Sequence, residues 1–385
     1  MELILKQYDI PLLRFSATND SSTPEIEVHW INEDQRHLLP LDMELSPEGI
    51  SRWMRRRTIP RNRAYVNRLL AKCGLNANRP MGILSLCKGL SVDDSYWVVE
   101  EGFEGTFEKY NLFENRFSEV LALIAFTGYG SSNRSSLASS PEFTTNGMLP
   151  KCWRRISGKV MLYKGGTDGG YNTGAEPYCE YYAAQVAAAM GIDAIPYGLS
   201  QWKGRLCSTC ELFTDIDHAY MPIGNLVQRG GFDAVAAYYE KLGEPFQKAF
   251  RDMLVFDAVI CNTDRHHGNF GFMIDNKTNT IAAPAPLFDH GNSLFNQAGP
   301  EDYESPEAFQ QYIDTLVPCV YDDFFATAKR FMTDENREQL RKLLGFRFKR
   351  HVRYNLPPKR LKLMEEQVRK RAMRLLESKK PSITL

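Results

Sequence analysis

The chain has 385 residues, and its 47 Lys and Arg balance 47 Asp and Glu, giving zero formal net charge. Hydrophobic residues make up 43%, charged 24% and aromatic 12%, which excludes a mostly disordered, collagenous or coiled-coil chain. A protein whose main task is coating nucleic acid or an anionic membrane carries a basic excess, and this chain has none. No segment approaches the ~18 apolar residues that span a bilayer. Met1 to Phe15 lacks a basic-then-apolar order and a small-residue cleavage site, so no signal peptide is expected. Eight cysteines are too sparse for a disulfide scaffold, so a cytoplasmic protein with reduced thiols is expected. The pair Cys207-Ser-Thr-Cys210 has no second pair at zinc spacing and reads as chance.

In chain order, residues 1 to 100 read as an accessory α/β unit. Glu25-Ile-Glu-Val-His-Trp-Ile31 alternates with the period of a half-buried strand. Ser46-Pro47-Glu48 reads as an N-cap with proline at the first helical position, and Pro60 stops that helix. A second helix is expected over about 64–73. Between them lie Arg52, Arg55, Arg56, Arg57, Arg61 and Arg63. These could belong to a helix-turn-helix gripping DNA phosphates, but Ile59-Pro60 breaks the pattern, and a solvated or docking face is the favoured reading.

The Ser-, Gly- and Asn-rich stretch 128–147 reads as a loop. Lys159-Val-Met-Leu-Tyr163 is a short strand delivering Lys164, and a glycine-rich turn follows. Pro177 to Met190 has apolar residues every three or four positions and ends at Gly191, a good C-cap. A strand pair is expected around 197–213. The remainder is mainly helical: 245–259, 306–315, 322–331, 334–344 and a final helix from about 358 to 380. Strands first and helices after suggest an α+β, two-lobed body.

The chemistry-bearing residues are densest in Cys261-Asn-Thr-Asp-Arg-His-His-Gly-Asn-Phe-Gly-Phe272, followed by Leu287-Phe-Asp-His-Gly-Asn-Ser293. Asp264 follows an apolar helix, Asn269 lies five positions later and Asp289 twenty beyond that. Short strands over 270–274 and 281–288 would form a hairpin carrying Asn269 and Asp289 side by side. Phosphoryl transfer needs this inventory: one carboxylate for the attacking hydroxyl, an amide oxygen and a second carboxylate for Mg²⁺, and a cation on the phosphates. Lys164, with Glu180 on the next helix, suits the cation role. Taken singly each residue is ordinary; their order and spacing carry the signal.

Asn262-Thr-Asp-Arg-His-His-Gly-Asn269 with Phe288-Asp-His-Gly291 resembles the catalytic and metal-binding motifs of HipA-like serine/threonine kinases, and the phosphoinositide kinases share the broader pattern. Thr144-Thr-Asn-Gly-Met-Leu-Pro-Lys151 is similar to that family's glycine-containing loop, and Val160 to Lys164 and Glu180 to Gly191 to its lysine strand and glutamate helix. Gly268 stands where such motifs often carry a basic residue. The resemblance covers about 144–292 and implies a bilobal protein-kinase-like fold. The accessory subdomain would be 1–100, the strand-rich N-lobe 101–215 and the helical C-lobe 216–385.

The resemblance makes Asp264 the catalytic base and Asn269 and Asp289 the Mg²⁺ ligands, with His266 near the γ-phosphate. Lys164, oriented by Glu180, and Lys151 would meet the phosphates of ATP, and Glu211 to Phe213 would lie at the adenine hinge. It further implies a protein Ser/Thr acceptor, a helix-turn-helix antitoxin partner, no membrane, a growth-arrest role, and autophosphorylation on Ser139, Ser140, Thr144 or Thr145. Rival readings are a metal-dependent phosphohydrolase built on His266, His267, Asp289 and His290, a DNA-associated regulator using the Arg52–Arg63 segment and the basic C-terminus, and a lipid kinase of the same fold.

Overall fold

β1 (Glu2–Gln7) and β2 (Ile10–Ala17) form the first hairpin of the computed structural model, which describes residues 1–18, 24–130, 139–170 and 172–377. Residues 131–138 of the serine-rich stretch, and the last positions expected for the final helix, lie outside the described residues. The chain divides into two compact units. One comprises Met1–Lys164, Glu211–Met221 and Met273–Ala282; the other comprises Gly165–Cys210, Pro222–Phe272 and Ala283–Leu385.

In the first unit, β3 (Ile26–Ile31) and β4 (Tyr96–Glu100) complete an antiparallel sheet of order β3-β2-β1-β4. Leu5 faces Leu13 on one side and Val98 on the other. The period-two alternation places Leu3, Leu5, Leu13, Phe15, Tyr96 and Val98 on one face, against Ile50, Trp53 and Met54 of the helix Pro47–Arg56. That helix starts as expected: the Ser46 hydroxyl accepts from the Gly49 N–H at 3.1 Å, and Pro47 sits at its first position. The other face of β4 gives Trp97 and Val99 to a second core with Phe107, Leu112, Trp153 and Val160. Residues 1–100 thus share a core with the hairpin of β5 (Lys151–Ile156) and β6 (Lys159–Gly165).

Two members of the arginine cluster are buried. Arg57 makes a bidentate pair with Asp94 at 2.7 Å and donates to the Gly89 and Tyr96 carbonyls. Arg63 is enclosed completely. Arg56 is held by Asp42 at 3.0 Å. A phosphate-gripping face needs its guanidiniums free in solvent; two of the six are buried and a third is paired with a carboxylate. This accords with the docking-face reading and counts against the helix-turn-helix.

In the second unit, the helix Glu176–Met190 ends at Gly191 with φ +80, the expected left-handed cap. β7 (Gly198–Trp202) and β8 (Arg205–Glu211) form the expected strand pair. The helix Glu244–Ile260 is buried without a break from Asp252 to its end. The chain then passes the Asp264–Asn269 motif, and the strands Gly271–Asp275 and Thr280–Pro284 that follow belong mostly to the first unit. The second strand is shorter than expected because Pro284 and Pro286 cannot donate to a ladder. The helix Pro358–Leu376 packs Leu361, Met364, Val368 and Leu375 inward, as its pattern predicts. Several of its basic residues serve structure: Arg371 donates to the Ala258 carbonyl at 2.6 Å, Arg369 to Phe346, and Arg360 to Phe295 and Asn296. Among the described residues, no helix is long and apolar enough to cross a membrane.

Candidate active site

The helix Glu244–Ile260 is stopped by Cys261, a non-glycine residue in the left-handed region at φ +53. The reversal is locked by Asn262, which donates to Asp257 at 3.1 Å and accepts from the Asp264 N–H at 3.1 Å. Asp264 therefore leaves a rigid turn. One carboxylate oxygen, Oδ2, accepts from Asn292 Nδ2 at 2.8 Å. Asn292 is itself gripped by Thr263, whose N–H and hydroxyl both donate to its carbonyl at 3.1 Å, and by the Asn296 amide at 2.9 Å.

Asn269 Nδ2 lies 3.2 Å from the Asp264 carbonyl. A carbonyl only accepts, so the amide nitrogen must face it, and Oδ1 is the atom with lone pairs to offer a cation. Arg265 ties the motif together. Its Nη1 donates to the Asn269 carbonyl at 3.0 Å and to the Phe288 carbonyl at 2.6 Å, so one nitrogen holds the backbone of Asn269 and of the residue before Asp289. Its side chain is 1% exposed and pairs with Asp257, which is 0% exposed. Burial pushes the Asp257 carboxyl up, and the Arg265 guanidinium opposes that; the carboxylate in turn keeps Arg265 protonated despite burial.

Asp289 has φ +56, a conformation that costs a non-glycine residue energy and clusters at functional sites. Its N–H donates to the Tyr197 hydroxyl at 3.2 Å. Burial, then the charge of Glu180, holds that phenol well above its usual range, so it stays neutral. Next in sequence, the His290 N–H donates to Glu180 Oε2 at 2.7 Å. Glu180 is fully buried, so this helix anchors the aspartate motif by its backbone. Arg265 Nη2 lies 3.0 Å from His290 Nδ1; a guanidinium only donates, so that nitrogen accepts and the ring proton sits on Nε2. His266 is exposed, with Nδ1 accepting from the Gly268 N–H at 3.0 Å. A Cβ at Gly268 would come within 2.9 Å of that ring, which explains glycine at this position.

The second unit thus gathers Glu180, Asp264, His266, Asn269 and Asp289 around one fold-back. The other expected residues lie in the first unit. Lys151 and Lys164 are directly opposite each other across the β5–β6 hairpin, and both are buried. Cross-strand partners share a face, which sets these two cationic side chains on the same side of the hairpin. Lys151 Nζ donates to the Asn146 carbonyl at 2.9 Å, and Gly147, at φ +91, leaves room for it. Glu211, at the end of β8, is exposed and its side chain pairs with Lys159 at 2.5 Å. Phe213 stacks edge-on with Tyr220 at 5.5 Å.

Magnesium asks for hard oxygen donors and completes its shell with water and phosphate oxygen. The Asn269 amide oxygen and the Asp289 carboxylate fit that demand. Among the described residues, no three His, Cys, Asp or Glu side chains converge as a transition-metal hydrolase requires. The sequence reading assigned no role to Asp257, Arg265, Asn292 or Tyr197. Asp257 did carry a signal: a carboxylate inside the apolar run Val255-Phe-Asp-Ala-Val-Ile260 requires a buried cation.

This mixed helix-and-sheet fold is that of the HipA-like kinases, and the motifs of the second unit resemble theirs. A solved complex of Shewanella oneidensis HipA with HipB and operator DNA aligns with TM-score 0.50 and 13% identity, covering 98% of this chain and 100% of that one. The Helicobacter pylori kinase CtkA is 27% identical over 135 residues, which are 31% of this chain and 41% of that serine/threonine-protein kinase. The match therefore spans less than half of that relative's length. Its crystal structure aligns over 60% of this chain and 90% of its own, with TM-score 0.49 and 15% identity. No protein-family model matches the chain.

Proposed function

We propose that this chain is an ATP- and Mg²⁺-dependent kinase of HipA-like type that phosphorylates a Ser/Thr hydroxyl of a protein. The observation that carries the reading is the fold-back around Arg265, with Asp264 oriented by Asn292 and Asn269 oriented by the Asp264 carbonyl. Asp264 takes the proton of the acceptor hydroxyl as its oxygen bonds the γ-phosphorus and the bond to ADP breaks. Lys151 and Lys164 neutralise the polyphosphate, and Glu180 keeps the Asp289 segment in register. His266 acts near the transferred phosphate. Asn269 and Asp289 would hold Mg²⁺, which when bound neutralises charge on the phosphate oxygens. A nucleotide-dependent thermal shift that requires Mg²⁺ and is lost in Asp289→Ala tests the binding half of this reading.

The protein acceptor and the antitoxin partner rest on the relatives, one described as a serine/threonine-protein kinase and one solved with HipB and operator DNA. Autophosphorylation of the glycine-containing loop requires that loop to move. Ser140 and Thr144 are buried, the Thr144 hydroxyl donates to the Leu90 carbonyl at 3.0 Å, and the Thr145 hydroxyl donates to Pro141 at 2.6 Å.

A further inference from the structure

Arg63 belongs to the basic segment that the kinase chemistry leaves unused, and it is buried. Its side chain is 0% exposed and its partner Glu142 is 1% exposed. Glu142 lies two residues before Thr144, where the glycine-containing loop begins. The guanidinium pairs with the Glu142 carboxylate, donates to the Glu142 carbonyl, and reaches the Thr145 carbonyl at 3.4 Å and the Lys151 carbonyl at 3.0 Å. One side chain thus holds both stems of the loop. The other Glu142 oxygen accepts from the Trp153 N–H at 2.8 Å, and the Trp153 indole donates to the Thr145 hydroxyl at 2.9 Å.

The neighbours of Arg63 extend the grip. The Ala64 N–H donates to the Met148 carbonyl at 2.9 Å, at the loop's far side. Arg68 donates to the Gly128 carbonyl at 2.9 Å. A Cβ at Gly128 would lie 2.6 Å from the Tyr65 ring, so Tyr65 packs against bare backbone there. Every contact of segment 63–68 named here falls on residues flanking or inside the stretch 128–151. Removing one partner of such a buried pair leaves an uncompensated charge, so the loop and the pair stand or fall together.

We propose that Arg63 and Glu142 form a latch that fixes the glycine-containing loop, and that the accessory segment 63–68 is a positioning element of the phosphate loop. Only what the loop binds rests on the kinase reading; the latch itself does not. The latch keeps the loop's Lys151 beside Lys164 and keeps the hydroxyls of Thr144 and Thr145 turned inward.

The test compares wild type, Arg63→Met/Glu142→Gln and Arg63→Lys, first by hydrogen exchange of nucleotide-free protein, then by MgATP titration. The double variant removes both charges but keeps an acceptor for the Trp153 N–H. The latch predicts exchange of residues 144–150 accelerated by about tenfold or more, with the β1–β4 sheet unchanged. It also predicts a raised KM for ATP with little change in kcat, and Arg63→Lys in between, since an ammonium cannot reach several carbonyls at once. Unchanged loop exchange in the folded double variant overturns the proposal. Should that variant not fold, Glu142→Gln is read the same way. Accelerated loop exchange in a protein whose wild type binds no MgATP would uphold the latch and sink the kinase reading, so the two fail separately.

Discussion

Two fully buried arginine–carboxylate pairs organise the two units, and they differ in reach. Arg265 and Asp257 are 8 positions apart, and Arg63 and Glu142 are 79 apart. Both guanidiniums also donate to loop carbonyls: Asn269 and Phe288 in one case, Thr145 and Lys151 in the other. Each pair is thus a device for fixing backbone, since a buried ion pair is a poor source of stability in itself. The local pair sits inside the proposed catalytic motif and holds its reactive groups. The distant pair recruits an accessory segment to hold a phosphate loop. The same chemistry therefore fixes a loop within one motif at short range and joins distant segments at long range.

The comparison breaks most sharply at the catalytic hairpin. Asp264→Asn should cut turnover by about 10²–10⁴ without lowering the melting temperature, because the substitute keeps an acceptor for Asn292. Arg265→Met should cost about 3–5 kcal/mol in chemical denaturation, since Asp257 is left charged and buried. Arg265→Met/Asp257→Met should recover much of that stability and none of the turnover, separating the pair's electrostatics from its hold on Asn269 and Phe288. Asn292→Ala removes one hydrogen bond to the Asp264 carboxylate and should lower kcat by about tenfold with KM for ATP unchanged.

The smallest effect concerns pH in the first unit. Burial, then the neighbouring Asp94, raises the half-buried Asp93 carboxyl to about 6. Its folded pKa lies above that of an unfolded Asp, so the native state holds the proton more tightly. The stability it adds is full below about pH 4 and is lost as pH rises through about 6; solvent screening limits it to about 1 kcal/mol. Asp93→Asn should flatten that part of the stability–pH curve, measured by urea melts at pH 4.5 and 7.

The contrast between the pairs also explains what could be read from the sequence. Asp264, Asn269 and Asp289 lie within 26 positions, in a motif whose spacing reports its chemistry. The Ser46 cap and the Gly191 stop are local signals and hold in the structure. β1, β2 and β4 give no clean alternation in sequence: Leu3-Ile-Leu5 is apolar throughout, Leu12 and Leu13 are both buried, and β4 is buried on both faces. The roles of Arg57 and Arg63 were out of reach for a different reason. A run of arginines looks the same whether its partners are phosphates or carboxylates far along the chain. Asn292 needed the fold-back itself, since only geometry brings it 28 positions back to Asp264.

The central claim is phosphoryl transfer centred on the Asp264–Asn269–Asp289 fold-back. The direct measurement is incubation of the purified protein with γ-labelled ATP and Mg²⁺, beside Asp264→Ala and Asp289→Ala, reading label on protein, on lipid and as free phosphate. The account predicts label on protein, from autophosphorylation or on an added Ser/Thr protein substrate, abolished in both variants. Label that persists in both variants, or a wild type that neither transfers label nor binds MgATP, would contradict it.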